Sequence, residues 1–208
     1  MHLAREYSVQ PDESEADLPT PHRCPLWVQY WLLNPLRRLF EPAGKLLGPH
    51  IEPGMVVVEP GCGFGYMTLP LARLVGPAGK VISVDVEPRA ASRVQRRAQR
   101  AGLGERVIAR SCTARDLGLA EYAGKVDRIV VVHTLHELED LPGFLVQCRA
   151  LLKPDEGRML VVEPRGHVEP AQFDAMMALC RRAGFVKVDT PEVGRKRLSA
   201  LLSPAAQP

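Results

Sequence analysis

Residues 55–65 read MVVVEPGCGFG. Three valines run into an acidic residue, Glu59, and then into a loop with Gly61, Gly63 and Gly65. A short run of β-branched residues predicts a buried strand. Glycines at alternate positions directly after it predict a place where backbone comes close to a ligand, because glycine has no Cβ and tolerates positive φ. The amphipathic stretch TLPLARLV at 68–75 follows, so the loop reads as a strand-to-helix turn. The next apolar run, KVISV at 80–84, ends in Asp85. An acidic residue at the tip of a second strand is placed to accept hydrogen bonds from ribose hydroxyls. Together these residues point to a nucleoside cofactor.

The glycine spacing narrows the choice. A dinucleotide fold carries G-x-G-x-x-G, with a helix N-terminus aimed at a pyrophosphate. Here the spacing is G-x-G-x-G and Glu59 stands just ahead of it. A carboxylate there repels pyrophosphate and suits a cofactor with a cationic amino group. S-Adenosylmethionine, with its sulfonium, amino group and ribose, meets that description. With Glu59 through Gly65, Asp85, the run VDRIVVVH at 126–133, LLKP at 151–154 and RAGF at 182–185, the chain resembles the class I S-adenosylmethionine-dependent methyltransferases. The resemblance spans about Met55 to Leu202. It is closest in pattern to small-molecule members of the ubiquinone and menaquinone type. It implies methyl transfer to a small acceptor. Two rivals stand beside it: a non-catalytic S-adenosylmethionine-binding or scaffold protein on the same fold, and a dehydrogenase of related topology, which the glycine spacing disfavours.

Alternation along the chain predicts the architecture. Strands are expected near 55–59, 80–85, 106–110, 127–132 and 158–163, and helices near 66–75, 88–101, 139–152 and 169–183. This order means parallel strands with right-handed crossovers, a Rossmann-like doubly wound α/β sheet with helices on both faces. Two further strand-like runs, 185–188 and 197–202, are joined by too short a stretch for a helical crossover, so the seventh strand should be antiparallel. The expected organisation is an acidic, flexible arm at 1–24, a helical lead-in at 25–50 and the cofactor-binding domain at 51–208. At 208 residues, 46% of them hydrophobic and 25% charged, the chain can bury a full single core. No apolar run is long enough for a membrane span, and the N-terminus has no signal-peptide pattern. Cys24, Cys62, Cys112, Cys148 and Cys180 show no CxxC spacing, which fits free thiols in a reducing cytoplasm and neither a disulfide framework nor a zinc site.

Ligands of open α/β sheets bind beyond the carboxyl ends of the strands. That rule selects Glu59, Gly61, Cys62, Gly63 and Gly65 after the first strand, and Asp85 and Val86 after the second. It selects Cys112, Thr113 and Ala114 after the third, and His133 after the fourth. The family usually carries an acidic residue over the adenine amino group; Thr113 stands there and offers an uncharged acceptor. His133 and His136 are three apart, so a helical turn would bring them onto one face. With Glu137, Glu163 and His167 they support three readings: a hydrogen-bonded loop, a substrate pocket with a histidine as general base, or a metal site. No metal is assigned. Trp27, Tyr30 and Trp31 share one helical face, expected either to pack on the domain, to close over the acceptor, or to touch a membrane surface. The arginines at 89, 93, 96, 97 and 100 lack interleaved aromatics, so they read as a solvated face and no nucleic-acid partner is assigned. Oligomeric state is not legible.

Overall fold

The valine run that starts at 56 becomes β1 (Val56–Pro60), an interior strand of a seven-stranded sheet. The structure is a computed structural model and describes residues 43–206. The other strands are β2 (Lys80–Asp85), β3 (Val107–Ser111), β4 (Arg128–Val132), β5 (Arg158–Pro164), β6 (Phe185–Asp189) and β7 (Arg197–Pro204). Their order is β3-β2-β1-β4-β5-β7-β6. The first five pair in parallel, and β7 runs antiparallel to both β5 and β6. The reversed strand expected from the short 185–202 segment is therefore present, and the fold is the Rossmann-like doubly wound sheet.

Strand residues alternate between two cores, as a period of two requires. Val58, Ile82, Ile129, Val131, Met159 and Val161 face one layer with Leu145, Phe173 and Met176. Val57, Val81, Val130, Leu160 and Val162 face the other, with Leu71, Val75, Val94 and Ala98. Strands buried on both faces need apolar side chains at every position, which is why these segments read as continuous runs and not as alternating ones.

The helices are α1 (Ala43–Leu47), α2 (Thr68–Leu74), α3 (Pro88–Arg100), α4 (Leu141–Leu151) and α5 (Pro170–Arg182). The last three open with an acidic residue and a proline. The side chain of Glu87 accepts from Arg89 N and that of Asp140 from Gly143 N, while Glu169 N donates to Gln172 Oε1. Proline costs nothing where the helix has no partner for its N–H, and the carboxylate satisfies donors that are otherwise orphaned. Helix α1 falls within the expected lead-in at 25–50, and its Ala43, Leu46 and Leu47 are buried in the second core. The arm expected at 1–24 and the aromatic face of Trp27, Tyr30 and Trp31 lie outside the described residues. Among the described residues no helix is long and apolar enough to cross a membrane.

Candidate active site

A cavity of about 560 Å³ opens at the carboxyl ends of the strands. Its wall gathers Glu59, Gly61, Cys62 and Gly63 after β1, Asp85 and Val86 after β2, Cys112 to Ala114 after β3, and His133 and His136 after β4. His167, beyond β5, completes that side. The glycine loop is pinned to the end of β2. Gly61 N and Cys62 N both donate to Val84 O at 2.9 and 3.2 Å, and Gly63 N donates to Asp85 Oδ2 at 2.8 Å. Gly61 has φ 67°, and a Cβ there would come within 2.6 Å of the Thr134 side chain, so only glycine fits. Gly65 departs from expectation. It is not on the cavity wall; a Cβ there would meet Val94 Cγ2 of helix α3 at 3.0 Å. Its role is to let helix and loop pack closely.

Asp85 is buried at the tip of β2. Oδ1 accepts from Glu87 N at 2.9 Å, so each carboxylate oxygen takes one backbone N–H. A carboxylate has roughly four lone-pair sites, which leaves acceptor capacity toward the cavity. Burial raises its pKa, against the pull of those backbone hydrogen bonds. Glu59 sits opposite Ser83 in the β1–β2 register. Its Oε2 accepts from Thr68 Oγ1 at 2.5 Å and from Ser83 Oγ at 2.7 Å. Burial pushes its pKa up to about 7, and the two hydroxyls only partly offset this. Sequence reasoning missed both hydroxyls. The available signal was Ser83 itself, a polar residue interrupting an apolar strand.

The wall is acidic. Glu59, Asp85, Glu87, Asp116, Glu137 and Glu139 line it against one guanidinium, Arg115. Pyrophosphate is a poor match for that charge; a ligand carrying an ammonium and a sulfonium is a good one.

A family model described as "Methyltransferase domain" matches residues 51–195. The chain belongs to this methyltransferase family. S-Adenosyl-L-methionine is the cofactor of the class I superfamily in which the fold places it. The methyltransferase is similar in structure to a SAM-dependent methyltransferase from Aquifex aeolicus, with a TM-score of 0.77 at 21% identity over 86% of this chain and 98% of that one. It is also similar to a TehB-like SAM-dependent methyltransferase from Corynebacterium glutamicum, with a TM-score of 0.65 at 17% identity over 86% and 96% of the two chains. TrmN from Thermus thermophilus gives a TM-score of 0.58 at 26% identity over 78% of this chain and 48% of that one. No curated protein matches the sequence.

The loop after β4 differs from the expected helical turn. Only Leu135–Glu137 forms a turn of 3₁₀ helix. His133 precedes it in the left-handed region, at φ 57°, with its N–H donating to Val162 O at 2.7 Å. His133 and His136 nevertheless both reach the cavity wall. His136 Nδ1 lies 2.6 Å from Glu163 Oε2, and Glu163 Oε1 accepts from Thr134 N at 3.2 Å and Leu135 N at 2.8 Å. Glu163 is fully buried and does not line the cavity, so it touches the site only through His136 and the loop backbone. Thr113 is on the wall, and its hydroxyl accepts from Asp116 N at 2.9 Å within its own loop. Asp116, which sequence reasoning passed over, is the acidic side chain of that loop on the wall.

The thiols are quiet. Burial raises the Cys62 pKa well above the ordinary value and that of Cys112 to about 11, so neither is a thiolate near neutrality. Among the described residues no three His, Cys, Asp or Glu side chains form a cluster able to hold a metal ion.

Proposed function

We propose that the methyltransferase acts on a small molecule bound in the same cavity as its methyl donor. The donor supplies a methyl group on a positively charged sulfur, which a nucleophilic atom displaces. Toward it, Asp85 would hold ribose hydroxyls with the lone pairs that its backbone bonds leave over. Glu59 would face the amino group with Oε1, Oε2 being taken by Thr68 and Ser83. Gly61, Cys62 and Gly63 would let backbone approach, and Val86, Cys112, Thr113, Ala114 and His133 would enclose the remainder. The charge of the cavity wall carries this conclusion. Six acidic side chains against one guanidinium, with only Glu59 part-protonated near neutrality, support a cationic ligand without phosphates.

The cavity volume of about 560 Å³ is that of a small-molecule site. The arginines also favour a small acceptor over nucleic acid. Arg93 stacks on Phe64 at 4.6 Å, Arg97 donates to Phe64 O, Arg106 to Ala72 O at 3.3 Å, and Arg110 pairs with Glu121. These guanidiniums brace the fold. Alignment of nucleophile with methyl, and exclusion of water, is then the main task of the protein. On sequence grounds we assign that closure to Trp27, Tyr30 and Trp31, and the acceptor end to His136 and His167. The free thiols suit a cytoplasmic setting. Titration calorimetry tests the donor site: S-adenosylmethionine or S-adenosylhomocysteine should bind and NAD should not. Tight NAD binding, with no heat from either sulfur nucleoside, would overturn the proposal.

A further inference from the structure

We infer that His136, oriented by Glu163, is the base that takes the proton from the acceptor, and that the acceptor is an uncharged hydroxyl or thiol. This rests on the proposed small-molecule methyl transfer and adds the acceptor class. Four observations carry it. His136 is on the cavity wall, at the same end as His133 and His167. Its Nδ1 is engaged by Glu163 Oε2 at 2.6 Å, which fixes the tautomer with the proton on Nδ1 and the lone pair on Nε2. Glu163 is itself fixed by two backbone N–H groups, from Thr134 and Leu135, so the imidazole cannot swing without breaking the loop. The His167 ring packs edge-on against His136, with centroids 5.7 Å apart.

The groups facing the imidazole are Glu163 from β5, Glu137 from its own turn with Oε1 4.0 Å from Nε2, and His167 from the segment after β5. Burial lowers the His136 pKa, but the hydrogen bond and charge of Glu163, with the charge of Glu137, outweigh it, and the net direction is up. With Nδ1 taken by Glu163, Nε2 is the nitrogen that can accept a proton, and a base there serves an acceptor that must lose one as it is methylated, as a hydroxyl or thiol must. Glu137 and Glu139 on the same wall disfavour an anionic acceptor. A neutral O–H or S–H remains. Its oxygen or sulfur forms the new bond to the methyl carbon, the carbon–sulfonium bond breaks with its electron pair going to the donor sulfur, and the proton passes to His136 Nε2. Imidazolium and thioether leave the charge balanced.

Glu163 is a positioning residue, and its effect is readable without turnover. Imidazole NMR on the folded, donor-free protein should place the His136 midpoint above the ordinary imidazole value. In Glu163→Gln it should fall below that value, because burial then acts with little opposition. Methyl transfer from labelled S-adenosylmethionine into a metabolite extract, with products identified by mass, should give methyl ethers or thioethers. The rate should rise with pH through the His136 midpoint, since only neutral imidazole accepts a proton, and Glu163→Gln should move that limb to lower pH. His136→Gln should lose about 10²–10⁴-fold in rate while still binding donor in calorimetry and unfolding at a similar temperature. The assignment is overturned by methyl esters or quaternary amines as the products, by His136→Gln at the wild-type rate, by superimposable pH profiles, or by donor binding with no transfer at all. None of these outcomes touches the donor site; loss of donor binding in the wild-type protein would instead refute the proposed function beneath it.

Discussion

Replacing Glu59 by glutamine should stabilise the protein and weaken its hold on the methyl donor. Burial pushes the carboxyl pKa up to about 7 in the folded state from an ordinary value of 4.5, and the hydrogen bonds from Thr68 and Ser83 only partly offset this. The folded state therefore keeps a proton that the unfolded chain releases. Stability falls as pH rises from 4.5 toward 7, and the loss is complete above that window. A separation of that size corresponds to a loss on the order of 3 kcal/mol at pH 8 and roughly half of that at pH 5.5. Glutamine has no charge to bury, and its carbonyl still accepts from both hydroxyls. The variant should gain most of that energy at pH 8, a rise in Tm of about 6–10 °C for a domain of this size, and less in acid. Donor affinity should fall by about 1.5–3 kcal/mol, the contribution of a charge-assisted hydrogen bond. Thermal unfolding at the two pH values, with calorimetry against S-adenosylhomocysteine at pH 8, checks both halves. A variant less stable than wild type at pH 8, or one that binds as tightly, refutes the reasoning.

Asp85→Ala should weaken donor binding by about 1.5–3 kcal/mol. It should also cost about 1–3 kcal/mol of stability, because Gly63 N and Glu87 N lose their acceptor; calorimetry on the folded variant with wild-type affinity would remove Asp85 from the site. Both tryptophans lie at 27 and 31, so donor or product binding should change tryptophan emission if that segment closes the cavity. Removing residues 1–40 should then abolish transfer, and full-length rates from the truncated protein would show that the segment does no more than pack.

The sheet was legible because the interior parallel strands β1, β2, β4 and β5 are buried on two faces and so appear as largely apolar runs. The position of Glu59, Gly61, Gly63 and Asp85 on the cavity wall was legible because each follows or ends a strand at the carboxyl edge of the sheet. What stayed hidden depends on distance between segments. Ser83 and Thr68 became partners of Glu59 only through the β1–β2 register and the first turn of α2. Gly65 carried the same signal as Gly61, and a side chain there would meet Val94 of the helix behind it. Glu163 was expected on the pocket wall but is buried behind His136, a consequence of where β5 ends relative to the loop after β4. His133 was expected in a helical turn, and its backbone lies in the left-handed region instead, a conformation histidine adopts more readily than most residues.

The position of β7 has a bearing on synthesis. It is the last of the seven described strands in chain order, yet it fills an interior place between β5 and β6. Until it arrives, the apolar edge of β5, Met159 through Val162, has its hydrogen-bonding groups open on one side. The half of the sheet that carries Glu59 and Asp85 is complete far earlier in the chain. A nascent chain thus holds its donor half together while exposing a sticky strand edge, the kind of surface that recruits a second chain. A chain whose segment 185–204 is slow to dock would leave the β5 edge open for longer.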